Sequence, residues 1–426
     1  MEKYFDEIVK SIQKAISFNS CLAPAKEGAP FGEENGKCLE FFLSLARDMG
    51  FETNNYDGYA GEVIFGEGEE FAVLTHLDVV PAGSGWIYPP FDGVIADGKL
   101  YGRGAMDDKG PAVICLYCLK ALKDKGFLPK RKIKLIVGCN EESGWGCMEY
   151  YKKVAHLPNE GFTPDADFPV IYAEKGILHL RLAFPLKKPP FEQLYGGTAA
   201  NMVCDFACAA PFNECINEYT NPVKDTLLRA ENRLLKAFGV SAHASTPENG
   251  ANAMQALLAF YAKTNYECAP VYDILFNDKL KLKEICDETG NLTLSPNLVE
   301  YKNGVLSVTV DLRVPATHPL KELTHALDEA GISYEIIHAQ KPLYNAPNGK
   351  LIQTLLGVYN RVTGENKAPV AIGGGTYARV LKCGCGFGPQ FEGDEVTIHQ
   401  ANEYIALDKI MLLSEIYYAA LKEICK

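Results

Sequence analysis

The chain has 426 residues, 47% hydrophobic and 23% charged, with a formal net charge of −12 and a pI near 5.3. That length exceeds one compact core and suggests about two or three domains. No apolar run approaches the roughly 18 residues of a membrane span, and no Lys/Arg block would track a phosphate backbone, which argues against membrane and nucleic-acid partners.

In chain order, the first stretch is MEKYFDEIVKSIQKAISF. It spaces Phe5, Ile8, Val9, Ile12 and Ile16 as one face of an amphipathic helix, unlike a signal peptide, so a cytoplasmic location is expected. FAVLTHLDVVPAG, 71–83, begins as a buried strand predicted over 71–77, then carries His76 and Asp78 two residues apart, on one face of an extended chain. A helix follows from Pro111 to about Lys125, with Pro in its first turn and Gly126 as terminator. The strand KIKLIVG comes next at 132–138. This βαβ alternation is that of a parallel sheet. After about Gly176 the character changes to alternating strands (ILHLRLAF, LSVTVDLRV) and helices (NAMQALLAFYAK, LKELTHALDEA), an α+β composition reaching to about residue 340. The chain then closes with segments that could rejoin the first sheet. The expected organisation is one domain from 1–176 and 341–426, interrupted by an inserted domain, 177–340. The 14 cysteines are scattered; Cys115 and Cys118 lie in an apolar stretch where a thiol behaves as a small hydrophobe, and no second CxxC points to a metal or redox pair.

Acidic and imidazole residues recur at strand ends or in loops: Asp107 in GRGAMDDKG, Glu141 and Glu142 in GCNEESG, Asp165 in FTPDADFP, and His399 in VTIHQANEY. Such nitrogen and oxygen donors suit Zn²⁺ or a similar divalent ion, and a carboxylate can bridge two ions. In open α/β sheets, ligand sites lie beyond the carboxyl ends of strands, where His76, Asp78 and Glu141 fall. His76 then reads as a ligand and Asp78 as the group that orients and polarises its ring. Each residue alone has a plainer reading, a hydrogen-bonded strand end or a solvated loop, but Glu141 and Glu142 directly follow an apolar strand.

The motifs THLDVVPAG, LYGRGAMDDKGP, NEESGWG, FTPDADFPVIYAEKG, SAHASTPENGANA and TIHQANEYI resemble those of the M20 family of metallopeptidases, most closely its PepV/Sapep-type dipeptidase branch, along nearly the whole chain. The resemblance implies an α/β fold: a zinc-exopeptidase-like catalytic domain with a central mixed sheet, plus the inserted α+β domain as a lid. It implies two Zn²⁺ per chain, with Mn²⁺ or Co²⁺ as alternatives. His76, Asp107, Glu142, Asp165 and His399 become the ligands, Asp107 the bridge, and Glu141 the general base acting on a water between the ions. It also implies a cis peptide bond after Asp107. In the lid, His243 resembles the oxyanion histidine, Asn201 its companion, and Arg313 the partner of a substrate carboxylate, for which a guanidinium fork is well shaped. Plainer readings are a surface His and a strand-end ion pair. The run AIGGGTYARV lacks the Gly-Lys-Ser/Thr ending of a phosphate loop; Gly373, Gly374, Gly375 and Thr376 are expected to form a substrate loop, the plainer reading being a tight turn. Histidines 156, 179, 318, 325 and 338 match no motif.

The function expected is hydrolysis of dipeptides. An N-acyl-amino-acid deacylase of the same fold is the alternative, because one metal centre can cleave either amide. A non-catalytic binding protein is the third reading, opposed by Glu141, for which such a protein has no use. Since the insert is long enough for two small α+β halves, one carrying Asn201 and the other His243 and Arg313, a monomer is expected.

Overall fold

The computed structural model describes residues 1–212 and 223–426. Two compact units are present: Met1–Tyr172 with Asn345–Val370 and Thr376–Lys426, and Ala173–Tyr344 with Ala371–Gly375.

The first unit is built on a mixed sheet. Its strands run in the order Glu52–Tyr56, Ala60–Phe65, Arg131–Gly138, Glu69–His76, Glu160–Thr163, Cys383–Gly386 and Ile171–Glu174. Glu69–His76 is parallel to both of its neighbours, and Cys383–Gly386 is parallel to Glu160–Thr163. The strands at the Glu52–Tyr56 side are antiparallel. Strand periodicity sorts the side chains onto two faces. Ala72, Leu74 and Ile136 pack with Cys147, Met148 and Tyr151 of the helix Gly146–Val154 and with Tyr377. The opposite face is covered by the helix Lys109–Asp124, while Leu39 and Leu43 of the helix Glu33–Asp48 press against Gly61. Helix Lys109–Asp124 is apolar nearly all round because it also packs on Phe5–Ile16 and Leu407–Ile424. Cys115 and Cys118 are buried within it, and Cys385 is a buried strand residue.

The second unit is built on an eight-stranded antiparallel sheet, ordered Leu227–Glu231, Leu234–Phe238, Phe206–Ala210, Gln193–Gly196, Thr293–Lys302, Val305–Val314, Gly176–Pro185 and Ser333–Gln340. Along Gly176–Pro185 the residues Leu178, Leu180, Leu182 and Phe184 alternate into a core shared with Met254, Leu257 and Leu258 of the helix Ala253–Thr264 and with Leu323 and Leu327 of Leu320–Glu329. The expected halves are therefore not separate bodies. Thr293–Lys302 pairs with Gln193–Gly196 on one side and Val305–Val314 on the other, so the ladder and the core run through. Among the described residues no helix is long and apolar enough to cross a membrane.

Candidate metal and catalytic site

Three adjacent parallel strands of the first unit end at one edge of its sheet. His76 closes Glu69–His76, Glu141 and Glu142 follow Arg131–Gly138, and Asp165 follows Glu160–Thr163. Parallel strands share a direction, so their carboxyl ends gather these side chains together. Asp107 precedes the helix Lys109–Asp124, whose N-cap is Asp108, and the Asp107–Asp108 peptide bond is cis. His399 stands in the loop before the strand Tyr404–Ala406 with a φ of 60°.

The fold brings all five expected ligands into one cluster. Nε2 of the fully buried His76 lies 3.0 Å from Oδ1 of Asp107 and 3.6 Å from Oδ2 of Asp165. Nε2 of His399 lies 2.9 Å from Oδ2 of Asp107 and 3.1 Å from Oε1 of Glu142. The two oxygens of Asp107 thus face two different imidazoles. His76, Asp107 and Glu142 offer ligand atoms within 4.8 Å of one another, and so do His76, Glu141 and Asp165. Proximity alone therefore admits Glu141 as readily as a ligand as it does as a base.

Asp78 makes contacts with two parts of the site. The ring Nδ1 of His76 meets the backbone carbonyl of Asp78 at 3.0 Å, with the carboxylate at 3.5 Å. Asp78 Oδ1 and Oδ2 instead accept the backbone N–H groups of Glu141 and Glu142, each at 3.0 Å. Asp78 reaches the site chiefly through the loop bearing the two glutamates, because its buried carboxylate needs donors and those peptide groups are the ones adjacent.

In the second unit, Ala244 donates its N–H to the Asn201 carbonyl at 2.9 Å, which brings the exposed Asn201 and His243 side by side. His243 Nδ1 meets Ser245 Oγ at 2.7 Å. Arg313 has partners within its own unit. It is buried, and its Nε and Nη2 donate to the two oxygens of Asp311, each at 2.8 Å, while Nη1 donates to the Gly373 carbonyl at 3.2 Å. Asp311 also lies 3.1 Å from Nε2 of His179, giving that histidine a partner no motif signalled. Burial would raise the Asp311 carboxyl, but His179 and Arg313 hold it below its ordinary value. None of the three consecutive glycines is among the residues of positive φ. A Cβ on Gly373 would sit 3.4 Å from that of Ser245, so glycine permits a close approach there. In the first unit, Thr376 is buried and its hydroxyl oxygen accepts the Ala378 N–H at 3.2 Å, capping the turn Tyr377–Val380.

Residues 72–423 match the sequence profile of peptidase family M20/M25/M40. The chain belongs to this family. YtjP of Bacillus subtilis (strain 168) is 35% identical over 456 residues, which cover 99% of this chain and 98% of that protein. The Beta-Ala-Xaa dipeptidase of Lactobacillus delbrueckii subsp. lactis is 33% identical over 453 residues, covering 99% and 96%. Among solved structures, the di-peptidase Dug1p from Saccharomyces cerevisiae superposes with a TM-score of 0.61 at 14% identity, covering 99% of this chain and 96% of that one. At that identity the likeness shows the fold.

The M20 family is metal-dependent, and the donor set of this peptidase fits a divalent cation. Burial pushes Glu142 up to about 7, helped by the charge of Asp107 and opposed by His399. It also raises Glu141 well above the carboxylate range, with His76 opposing and Asp165 reinforcing, and it raises Asp165. Asp107 is held low by His399 and His76 against its own burial. Hydrogen bonds to Asp107 and Glu142 push His399 up to about 11. Buried carboxylates that draw protons onto themselves and onto the neighbouring imidazoles form an electrostatic deficit, which a cation with nitrogen and oxygen ligands satisfies.

Motif reading missed several side chains around this M20 centre. Glu403, wholly buried, accepts the N–H groups of Gly104, Met106 and Asp107 at 2.9–3.1 Å through Oε1, and pairs with Arg103 at 2.7 Å. It ties the His399 loop to the Asp107 loop. Tyr377 sets its ring edge-on to His76 and to Trp145. Gly138, in register with His76, leaves space for it: a Cβ there would lie 2.9 Å from a Tyr377 ring carbon.

Proposed function

We propose that this M20 peptidase is a dipeptidase that works with two divalent metal ions, Zn²⁺ or alternatively Mn²⁺ or Co²⁺. His76, Asp107 and Asp165 would hold one ion and His399, Asp107 and Glu142 the other. Bound there, the ions supply Lewis-acid polarisation of the scissile carbonyl and lower the pKa of water. Glu141 takes a proton from the attacking water and passes it to the leaving amine as the peptide C–N bond breaks. Asp78 fixes the peptide groups of Glu141 and Glu142. The second unit acts as the inserted lid, with Asn201, His243 and Arg313 assigned to substrate recognition.

The observation that carries the reading is the Asp107 carboxylate, whose two oxygens face His76 and His399. The dipeptide as substrate is supported by the name of the Lactobacillus relative, alike over 99% of this chain. The test is hydrolysis of a panel of free dipeptides and their N-acetylated equivalents by metal-stripped protein to which Zn²⁺, Mn²⁺ or Co²⁺ is restored. Cleavage of the free dipeptides alone is expected. Preference for the acetylated series would replace this reading by the deacylase.

A further inference from the structure

Trp145 occupies a backbone conformation that large side chains rarely adopt, a left-handed φ of 62° immediately before the helix Gly146–Val154. The loop over 140–146 is tied to hold it. Trp145 donates its backbone N–H to the Asn140 carbonyl at 2.8 Å. The Asn140 side chain accepts from Gly146 N–H at 3.0 Å and donates to Ser143 Oγ at 2.8 Å. So held, the indole turns back on its own loop and Nε1 donates to Oε1 of Glu141 at 3.0 Å. The ring is braced on its other side by Tyr377, with centroids 5.5 Å apart in an edge-on contact.

An indole N–H can only donate, so the Glu141 oxygen it meets must be an acceptor. A carboxylate has two oxygens. With one engaged by Trp145, its plane is fixed and the other is left to exchange a proton. We propose that Trp145 is the positioning residue of the general base, setting which Glu141 oxygen is presented to the reacting water. This rests on the reading of Glu141 as base. The left-handed backbone is what lets a side chain four residues on reach back to Glu141.

Trp145→Phe keeps an aromatic ring and removes the donor. Loss of a hydrogen bond to a charged group should lower kcat about 10- to 100-fold, with KM and metal content kept near those of the parent. Made on top of Glu141→Gln, the same change should alter the residual rate less than about twofold, because coupled residues do not add. An equal loss in both backgrounds, or full activity of Trp145→Phe, would overturn the inference. Full activity of Glu141→Gln would instead remove the base reading beneath it. A second measurement stands apart from turnover. The chain has two tryptophans, so Trp86→Phe leaves Trp145 as the sole indole, and its fluorescence should shift when Glu141 becomes Ala and the acceptor is lost. An unchanged spectrum would show that the hydrogen bond is not made and would likewise overturn the inference.

Discussion

The carboxylate of Asp78 grips the backbone of Glu142, Oδ2 accepting its N–H at 3.0 Å, and the companion oxygen holds Glu141 in the same way. One buried side chain thus fixes the chain direction at the point where a proposed ligand and a proposed base diverge. Asp78→Ala leaves both peptide groups without an acceptor and lets both glutamates drift. Groups that orient ligands typically contribute about 10- to 100-fold in affinity or activity, so a loss of that size is expected when metal-stripped protein is titrated with Zn²⁺. Unchanged affinity would remove Asp78 from the support of the site.

Glu141 and Glu142 are distinguished by what their loss removes. Glu141→Gln should lower turnover by about 10²- to 10⁴-fold, the usual share of a general base, with bound metal retained. Glu142→Ala should lose metal and activity together. Metal analysis of the two purified variants decides; the opposite pattern would exchange the roles.

In the second unit, the buried pair Asp311–Arg313 predicts a pH dependence of stability. Asp311 is held below its ordinary value against its own burial, by His179 and Arg313, so the folded protein binds that proton more weakly than the unfolded chain does. The contribution is complete above the unfolded Asp value of about 4 and is lost as pH falls through the folded value. Asp311→Asn should flatten this limb of a stability profile measured by denaturant at acidic pH. Arg313→Ala leaves the buried Asp311 carboxylate with His179 as its remaining charged partner and should destabilise by about 3 kcal/mol. A profile unchanged by Asp311→Asn would show the pair to be neutral.

Gly138→Ala places a methyl group against Tyr377, a residue whose own surroundings are buried. Overpacking of this kind typically costs about 1–3 kcal/mol. A lowered Tm is expected, with reduced turnover because Tyr377 also abuts His76. A Tm equal to that of the parent would mean that the ring moves freely.

Asn201, His243 and Arg313 all belong to the second unit of a single chain, and the expected monomer is open to a direct test. Activity per chain should not change on dilution, and mixing inactive Glu141→Ala with inactive His243→Ala protein should restore nothing. Recovery in the mixture would show His243 serving a neighbouring subunit.

The sequence by itself determined the elements and the kinds of atom they carry. A short continuous apolar run marked a strand at 71–77, observed as Glu69–His76. Proline and glycine bracketed a helix from Pro111 to Lys125, observed as Lys109–Asp124. The strand at 132–138 is observed as Arg131–Gly138. These signals are legible because they arise between near neighbours, from side-chain alternation and backbone sterics. Motif wording carried the family for the same reason: the donor residues sit in short contiguous runs.

What only the tertiary structure decided is how distant runs meet. Parallel pairing of Glu69–His76 with Arg131–Gly138 and Glu160–Thr163 turns separate strand ends into one cluster, and hydrophobic periodicity does not encode that register. Glu403 and Arg103, Tyr377 and His76, and Arg313 and Gly373 are joined across long stretches of chain. Even the local pairs Asp311–Arg313 and Trp145–Glu141 escaped a reading by motif. A buried ion pair looks like a surface one until the sheet covers it, and the indole reaches its glutamate only through a left-handed backbone that no local pattern announces. Spacing supplies the donors and acceptors, while desolvation and long-range packing choose which of them must satisfy one another.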